Sequence, residues 1–323
     1  YLRNNPGGLL DEAIVTCNIF MDKGQSVLTT RYKIPDMDKE YKTALPAWNK
    51  ELPLAVLVNK SSASASEIVA GSIQDLDRGV VIGERSYGKG LVQVTRPVGF
   101  KSQLKLTVAR YYTPSGRCIQ ALDYTHRNAD GTVNAFADSM KKTFKTRAGR
   151  KVQSGGGVTP DVMVKDDAMS LVAVNLYSKN YIFDYATLYA SKHKTITDPS
   201  KFTLTEAEFY EFAKWVENKD FSYKTTTESQ LDSLKKTALE EKYFDNIKSE
   251  FEALKNKLSH DKKQDLLKHK EQVRHVLESE IASRYYYARG RMAQTMQYDK
   301  EIAKAVTILS SPAEYNALLK PGK

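Results

Sequence analysis

The chain has 323 residues, 41% of them hydrophobic, and 49 Lys and Arg against 39 Asp and Glu give a formal net charge of +10. That is enough for a buried core in two domains, and no apolar run reaches membrane-spanning length. Two cysteines, Cys17 and Cys118, permit one bond but exclude a disulfide framework. The basic balance comes with no nucleic-acid reader motif, phosphate-cradling loop or metal-ligand spacing, so neither nucleic acid nor a metal or other cofactor is expected.

Leu9 to about Asp22 reads as a helix after Pro6-Gly7-Gly8, and Gly24 to Lys33 as a strand centred on Val27-Leu28. Residues 34–50 read as a polar loop. Leu54-Ala55-Val56-Leu57-Val58 is a continuous apolar run rich in β-branched residues, the pattern of a strand covered on both faces. Small residues follow, Ser61 to Ser66, and then a helix to about Asp77 with Ile68, Val69, Ile73 and Leu76 recurring along it. Val80-Val81-Ile82-Gly83 is a second buried strand. Ser86-Tyr87-Gly88-Lys89-Gly90 makes a tight loop, and strands continue to Tyr112. Alternating buried strands and helices predict a layered α/β core. Asp123 to Ser154 is polar and basic and reads as an insertion or hairpin, and Gly155-Gly156-Gly157 as a flexible hinge.

From about Ala168 helical periodicity takes over. Thr205-Glu206-Ala207-Glu208 reads as a capped helix start with Phe209, Phe212, Ala213 and Val216 on one face. Glu228 to Leu258 and Asp261 to Met296 read as amphipathic helices, and Ile302 to Ile308 as a last short one. The expected division is a core over 1–180, with its insertion around 123–154, and an all-α domain over 190–323. His260, His269 and His275 lack the spacing of a metal pair and read as a solvated basic face. Tyr285-Tyr286-Tyr287 reads as packing between helices.

Chemistry concentrates at three positions. Ser64 or a neighbouring serine sits at a helix N-terminus, where free N–H groups and the dipole favour a developing oxyanion, although a serine there can simply be a cap. Lys89 lies between two glycines. A lysine is a base only when neutral, which calls for apolar burial; a solvated hairpin-tip lysine is the plainer alternative. Gln93, four residues on, can point into the same pocket or be an ordinary strand residue. No histidine precedes His126 to offer another base.

Taken together, these stretches resemble the carboxyl-terminal processing peptidases, or tail-specific proteases. The resemblance rests on Leu2-Arg3-Asn4-Asn5-Pro6-Gly7-Gly8-Leu9-Leu10, Ser62-Ala63-Ser64-Ala65-Ser66-Glu67-Ile68, Gly83 to Gln93, Leu104 to Arg117, and Gly157-Val158-Thr159-Pro160-Asp161. It implies a crotonase- or Clp-protease-like fold with Ser64 as nucleophile, Ser62 and Ser66 as bystanders, Lys89 as general base and Gln93 orienting it. The backbone amides of Gly8 and Ala65 would form the oxyanion hole, glycine at position 8 allowing close approach to substrate. It further implies unfolded or tagged protein substrates with apolar C-termini, a periplasmic or envelope location, and a preceding PDZ domain that the chain lacks. Beginning at Tyr1, the chain reads as a fragment, in which the Gly7-Gly8 turn is expected to be displaced. The helical domain resembles the C-terminal extension of larger members and is read as a scaffold, substrate gate, adaptor site or homo-oligomer contact. Two alternatives remain open: a non-catalytic binding or scaffold protein on a peptidase-like fold, and a small-molecule amidase sharing the dyad.

Overall fold

The computed structural model describes residues 1–165, 169–217, 219, 223–258 and 262–321. The chain divides into two units, Tyr1–Asp166 joined by Lys300–Lys323, and Asp167–Asp299. The first unit runs α1 (Leu10–Phe20), β1 (Ser26–Tyr32), β2 (Lys39–Lys42), β3 (Ala55–Val58), α2 (Ala65–Asp75), β4 (Val80–Gly83), β5 (Leu91–Pro97), β6 (Gln103–Tyr112), β7 (Leu122–Arg127), β8 (Val133–Ala135), β9 (Thr143–Lys145), β10 (Lys151–Gln153) and β11 (Val162–Met163). The second holds α3 (Leu171–Ser178), α4 (Tyr181–Lys192), α5 (Glu206–Glu217), α6 (Thr226–Glu240), α7 (Phe244–Leu258), α8 (Lys262–Lys268) and α9 (Lys270–Thr295). The chain then returns to the first unit for α10 (Lys300–Leu309) and α11 (Pro312–Leu318). The layered α/β core and the all-α second part expected from the pattern are both present. Among the described residues no helix is long and apolar enough to cross a membrane.

The unit β3–α2–β4 sets the frame. β3 and β4 pair in parallel, Ala55 opposite Val80 through Val58 opposite Gly83, and β11 adds to β4 with Val162 opposite Ile82. Side chains alternate across such a strand, so Val56, Val58 and Val81 face one side, where they join Ala13 and Cys17 of α1 and Ile68 and Ile73 of α2. Leu57, Val80 and Ile82 face the other, where they meet Ala305, Ile308 and Tyr315. Each fully buried aliphatic chain of this kind contributes about 1.5–3 kcal/mol.

That second face explains why the domain boundaries differ from those expected. A parallel sheet needs cover on both sides, and α10 and α11 supply it, so residues 300–321 pack with the core rather than with the helical domain. Tyr315 ties the arrangement down, its hydroxyl accepting the Leu54 N–H at 3.0 Å. At the other boundary α3 already belongs to the second unit, with Val172, Ala173 and Leu176 buried in its core.

A four-stranded antiparallel sheet in the order β2-β1-β6-β5 lies alongside, with β5 at its edge. β2 forms within the stretch expected to be loop; its Lys-Glu-Tyr-Lys sequence lacks apolar alternation because it is the opposite edge strand, and charge there deters further pairing. The insertion folds as two hairpins, β7–β8 and β9–β10. Arg150 of the insertion bonds Asp77, just past α2, at 2.6 Å and also pairs with Asp161, while Arg117, ahead of the insertion, bonds Asp75 of α2 at 2.8 Å.

Gly155-Gly156-Gly157 is not a free hinge. Gly155 and Gly157 donate to the carbonyls of Cys118 and Ile119 at 2.9 and 2.8 Å. Gly157 has φ +78°, and a Cβ there would stand 2.4 Å from the Ser86 carbonyl oxygen.

In the second unit Phe209, Phe212, Tyr185 and Tyr189 build an aromatic core with Leu277 and Ile281. Thr205 and Glu208 close the expected capping box, the Thr205 N–H donating to Glu208 at 2.8 Å. The long last helix is broken at Tyr286–Tyr287, where Tyr287 has φ 53°. Gly290 allows this fold-back, since a Cβ there would stand 2.5 Å from Tyr286 Cβ. Glu280 spans the break, accepting from Arg284 at 2.8 Å and Arg291 at 2.6 Å. Of the tyrosine run, Tyr285 packs into the unit's core as expected but Tyr286 and Tyr287 are exposed, and His275 is half-buried and stacked on Tyr298 rather than on a solvated face. His260, Asp261 and Ala168 lie outside the described residues.

Candidate active site

The turn expected to be displaced is docked against the serine segment. Leu2 donates to the Leu57 carbonyl at 2.9 Å, Ala63 donates to the Asn5 carbonyl at 3.1 Å, and Asn4 and Asn59 exchange two hydrogen bonds. Arg3 forms a buried ion pair with Glu301 of α10. These contacts bring Gly7, at φ +96°, so close that a Cβ there would lie 2.5 Å from the Ala63 carbonyl oxygen and 2.7 Å from the Ala65 nitrogen. Glycine is therefore demanded at position 7. At Gly8 a Cβ would meet nothing within 4 Å, so the close approach expected of Gly8 falls to its neighbour.

The three serines divide by environment. Ser62 is buried, its hydroxyl donating to the Leu2 carbonyl at 2.8 Å and accepting from Asn59 N–H at 2.9 Å. Ser66 is buried and donates to the Asn5 carbonyl at 3.0 Å. Both hydroxyls are committed to holding the N-terminal turn. Ser64 is half-buried at the start of α2, with φ 57° and ψ −117°, a conformation that costs a non-glycine residue about 1–3 kcal/mol. As first residue of the helix Ala65 has no carbonyl one turn back, and neither its N–H nor that of Gly8 meets an acceptor among the described residues.

Glu67 connects the serine to the lysine loop. Its carboxylate is completely buried and takes four hydrogen bonds. Oε2 accepts the N–H groups of Ser64 at 2.9 Å and Lys89 at 2.8 Å; Oε1 accepts Gly88 N–H at 2.6 Å and the Ser86 hydroxyl at 2.5 Å. Burial pushes its carboxyl above the ordinary Glu range, against the opposing pull of those donors. Tyr111 makes a second clamp: its buried hydroxyl donates to the Lys89 carbonyl at 2.7 Å and approaches the Ser64 carbonyl at 3.3 Å. Burial raises the Tyr111 phenol well above its usual range, so it stays a donor. The backbones of Ser64 and Lys89 are thus held by the same two side chains.

Lys89 differs from expectation in being exposed. It lines an open cleft of about 1220 Å³ together with Pro6, Ala63, Gly88, Leu91 and Gln93. Gln93 is exposed too, and its amide donates to the Thr107 hydroxyl at 3.3 Å rather than to Lys89. A bulge explains the choice: Val92 pairs with Ala109 but Gln93 with Thr107, so β6 contributes an extra residue, Val108, and re-aims the strand beside the cleft. Cys17 and Cys118 are both free. Cys17 is buried in the core and its thiol is pushed up to about 12 by that burial.

Residues 2–126 match the family described as Peptidase family S41. This segment is similar to that family. Residues 172–309 match a second description, "Probable PDZ-protease, C-terminal helical domain". The S41 segment is 48% identical over 124 residues to a carboxy-terminal-processing protease of Bartonella bacilliformis, covering 38% of this chain and 28% of that protein. A probable CtpA-like serine protease of Staphylococcus haemolyticus is 44% identical over 120 residues, 36% of this chain and 24% of that one. The chain therefore spans about a quarter of the length of these relatives. Among solved structures, the photosystem II D1 C-terminal processing protease is 28% identical with a TM-score of 0.37, over 52% of this chain and 34% of that one.

Three residues of the S41 segment that hold the site escaped the sequence reading: Glu67, Tyr111 and Gly7 in its structural role. Glu67 did leave a signal, since Ser64-Ala65-Ser66-Glu67 is a capping-box spacing. Tyr111 left none, because nothing local distinguishes it from Tyr112.

Proposed function

We propose that the chain carries the catalytic part of a serine endopeptidase that processes proteins at or near their C-terminal tails. Ser64 attacks a peptide carbonyl while its proton passes to the amine of Lys89. The tetrahedral oxyanion is met by the free N–H groups of Ala65 and Gly8. Collapse expels the amine, which takes the proton, and leaves an acyl ester on Ser64 that water hydrolyses with Lys89 again accepting a proton. A peptide lying in the cleft would strip water from Lys89, giving it the desolvated surroundings a lysine base needs. Gln93 shares the cleft and would steady the amine once substrate draws it from Thr107. Substrates would be unfolded or tagged chains with apolar C-termini, outside the cytoplasm.

The observation that carries this reading is the double clamp. Glu67 and Tyr111 both bind the Ser64 and Lys89 backbones, while Ser64 is the partly exposed one of the three serines and its flanking amide is free. The Glu67 bond to Ser64 N–H is half of a capping box; what a cap alone does not need is the same carboxylate's hold on Lys89 N–H. The test is cleavage of an unfolded protein with an apolar C-terminus, followed by mass spectrometry for the parent, Ser64→Ala and Lys89→Ala proteins. Cleavage by the parent that is lost in both variants supports the reading; cleavage surviving in both rejects it.

A further inference from the structure

The cleft that Ala63 and Lys89 line is also lined by Arg31, Lys33, Lys60, Arg110 and Arg127, six cations with Lys89, and by no Asp or Glu among the described residues. Several cations elsewhere in the first unit are matched, Arg3 with Glu301, Arg117 with Asp75, Arg150 with Asp77 and Asp161, and Lys141 with Asp138, and others on its surface stand singly rather than gathered around one cleft. The cleft cations form no ion pair with a described carboxylate. Arg31 lies over the Tyr112 ring at 4.5 Å and Arg127 over the Tyr124 ring at 5.9 Å, contacts that position a guanidinium without neutralising it. Glu67, behind Lys89, has both oxygens engaged by four donors from its own surroundings. Charges of one sign around a concave wall add to a focused field that raises the local concentration of an oppositely charged ligand.

We propose that this cleft selects acidic peptide segments, with Asp or Glu side chains flanking the bond presented to Ser64 and held by Arg31, Lys33, Lys60, Arg110 and Arg127. The inference rests on the peptidase reading of the same site and adds its substrate preference. An extended peptide fits better than a nucleic acid for a topological reason. β5 is the edge strand of its sheet, and its Leu91 and Gln93 line the cleft, so a substrate strand finds unpaired backbone groups beside it. The wall between the cations is aliphatic at Leu91, Val108, Ala109 and Leu122.

Binding to the Ser64→Ala protein, read by fluorescence anisotropy, tests this without requiring turnover. The probes are a labelled Glu-rich peptide, its Lys-for-Glu counterpart and a single-stranded oligothymidylate. The Glu peptide should bind at least roughly tenfold more tightly than the Lys peptide at low salt. The preference should collapse as salt rises from about 20 mM to about 500 mM. It should shrink sharply in Lys33→Glu/Lys60→Glu and, independently, in Arg127→Glu. Equal affinity for the two peptides, or a preference for the oligonucleotide, overturns the inference. Parallel cleavage by the parent protein separates the two readings. Equal cleavage of both peptides refutes the acidic preference and keeps the peptidase, whereas Glu-selective binding with no cleavage keeps the cleft's preference and refutes the peptidase.

Discussion

Removing the Glu67 carboxylate should uncouple the serine from the lysine loop. In Glu67→Ala three buried backbone donors, Ser64, Gly88 and Lys89 N–H, lose their acceptor, as does the Ser86 hydroxyl. An orphaned buried donor costs about 1–3 kcal/mol, so the gross loss over the four is about 4–12 kcal/mol before water enters the space. Glu67→Gln is milder for a definite reason. Its amide group can turn toward Oε1's place, where the Ser86 hydroxyl, already accepting Val158 N–H at 2.7 Å, can rotate to accept from it. Gly88 N–H and the Ser86 hydroxyl proton are then the two donors left without their acceptor, and the gross cost falls to about 2–6 kcal/mol. The remaining oxygen still joins Ser64 to Lys89. Thermal unfolding and kcat on an unfolded protein substrate should therefore rank parent, Gln, Ala, with kcat in the Ala variant down by about two orders of magnitude or more. An Ala variant with the parent's kcat would show that the carboxylate bridge has no part in aligning the site.

Glu67 also sets a pH signature. Its folded-state value lies above the ordinary one near 4.5, so its contribution to stability is full below that pH and is lost as pH rises through the raised value. The melting-temperature difference between the parent and Glu67→Gln should shrink over that rise; a difference that is flat with pH contradicts the assignment. Tyr111→Phe removes one strong and one long hydrogen bond, costing about 0.5–1.5 kcal/mol of stability by denaturant titration and a larger fraction of kcat than that would suggest. Gly7→Ala forces a Cβ against the Ala63 carbonyl oxygen and the Ala65 nitrogen at φ +96° and should abolish cleavage, while Gly8→Ala, facing open space, should be tolerated. Ile308→Ala should destabilise the first unit by about 2–5 kcal/mol although it lies far along the chain, because Ile308 covers Leu57, Val80 and Ile82.

Much of this architecture was legible from local pattern. The apolar runs at 54–58 and 80–83 declare a buried parallel pair, and Thr205 with Glu208 declares a helix start. What stayed hidden is what long-range contact decides. Nothing in Ile302 to Ile308 says that its amphipathic face meets a sheet more than two hundred residues upstream, and by pattern alone it belongs with the helices adjacent in sequence. Three consecutive glycines read as freedom, whereas all three are hydrogen-bonded to the Cys118 and Ile119 carbonyls and Gly157 is crowded against the Ser86 carbonyl. At the site, the serine and lysine motifs were visible, but the bulge that turns Gln93 toward Thr107 depends on β6's register. The exposure of Lys89 likewise depends on how far the cleft stands open.

The central claim is that Ser64 becomes covalently acylated with Lys89 as its base. Intact-protein mass spectrometry after exposure to an activated ester reads this directly. The account predicts a single acyl group that maps to Ser64, no adduct in Ser64→Ala, and acylation slowed by about 10²-fold or more in Lys89→Ala. An acyl group on another residue, or an undiminished rate without Lys89, would contradict it.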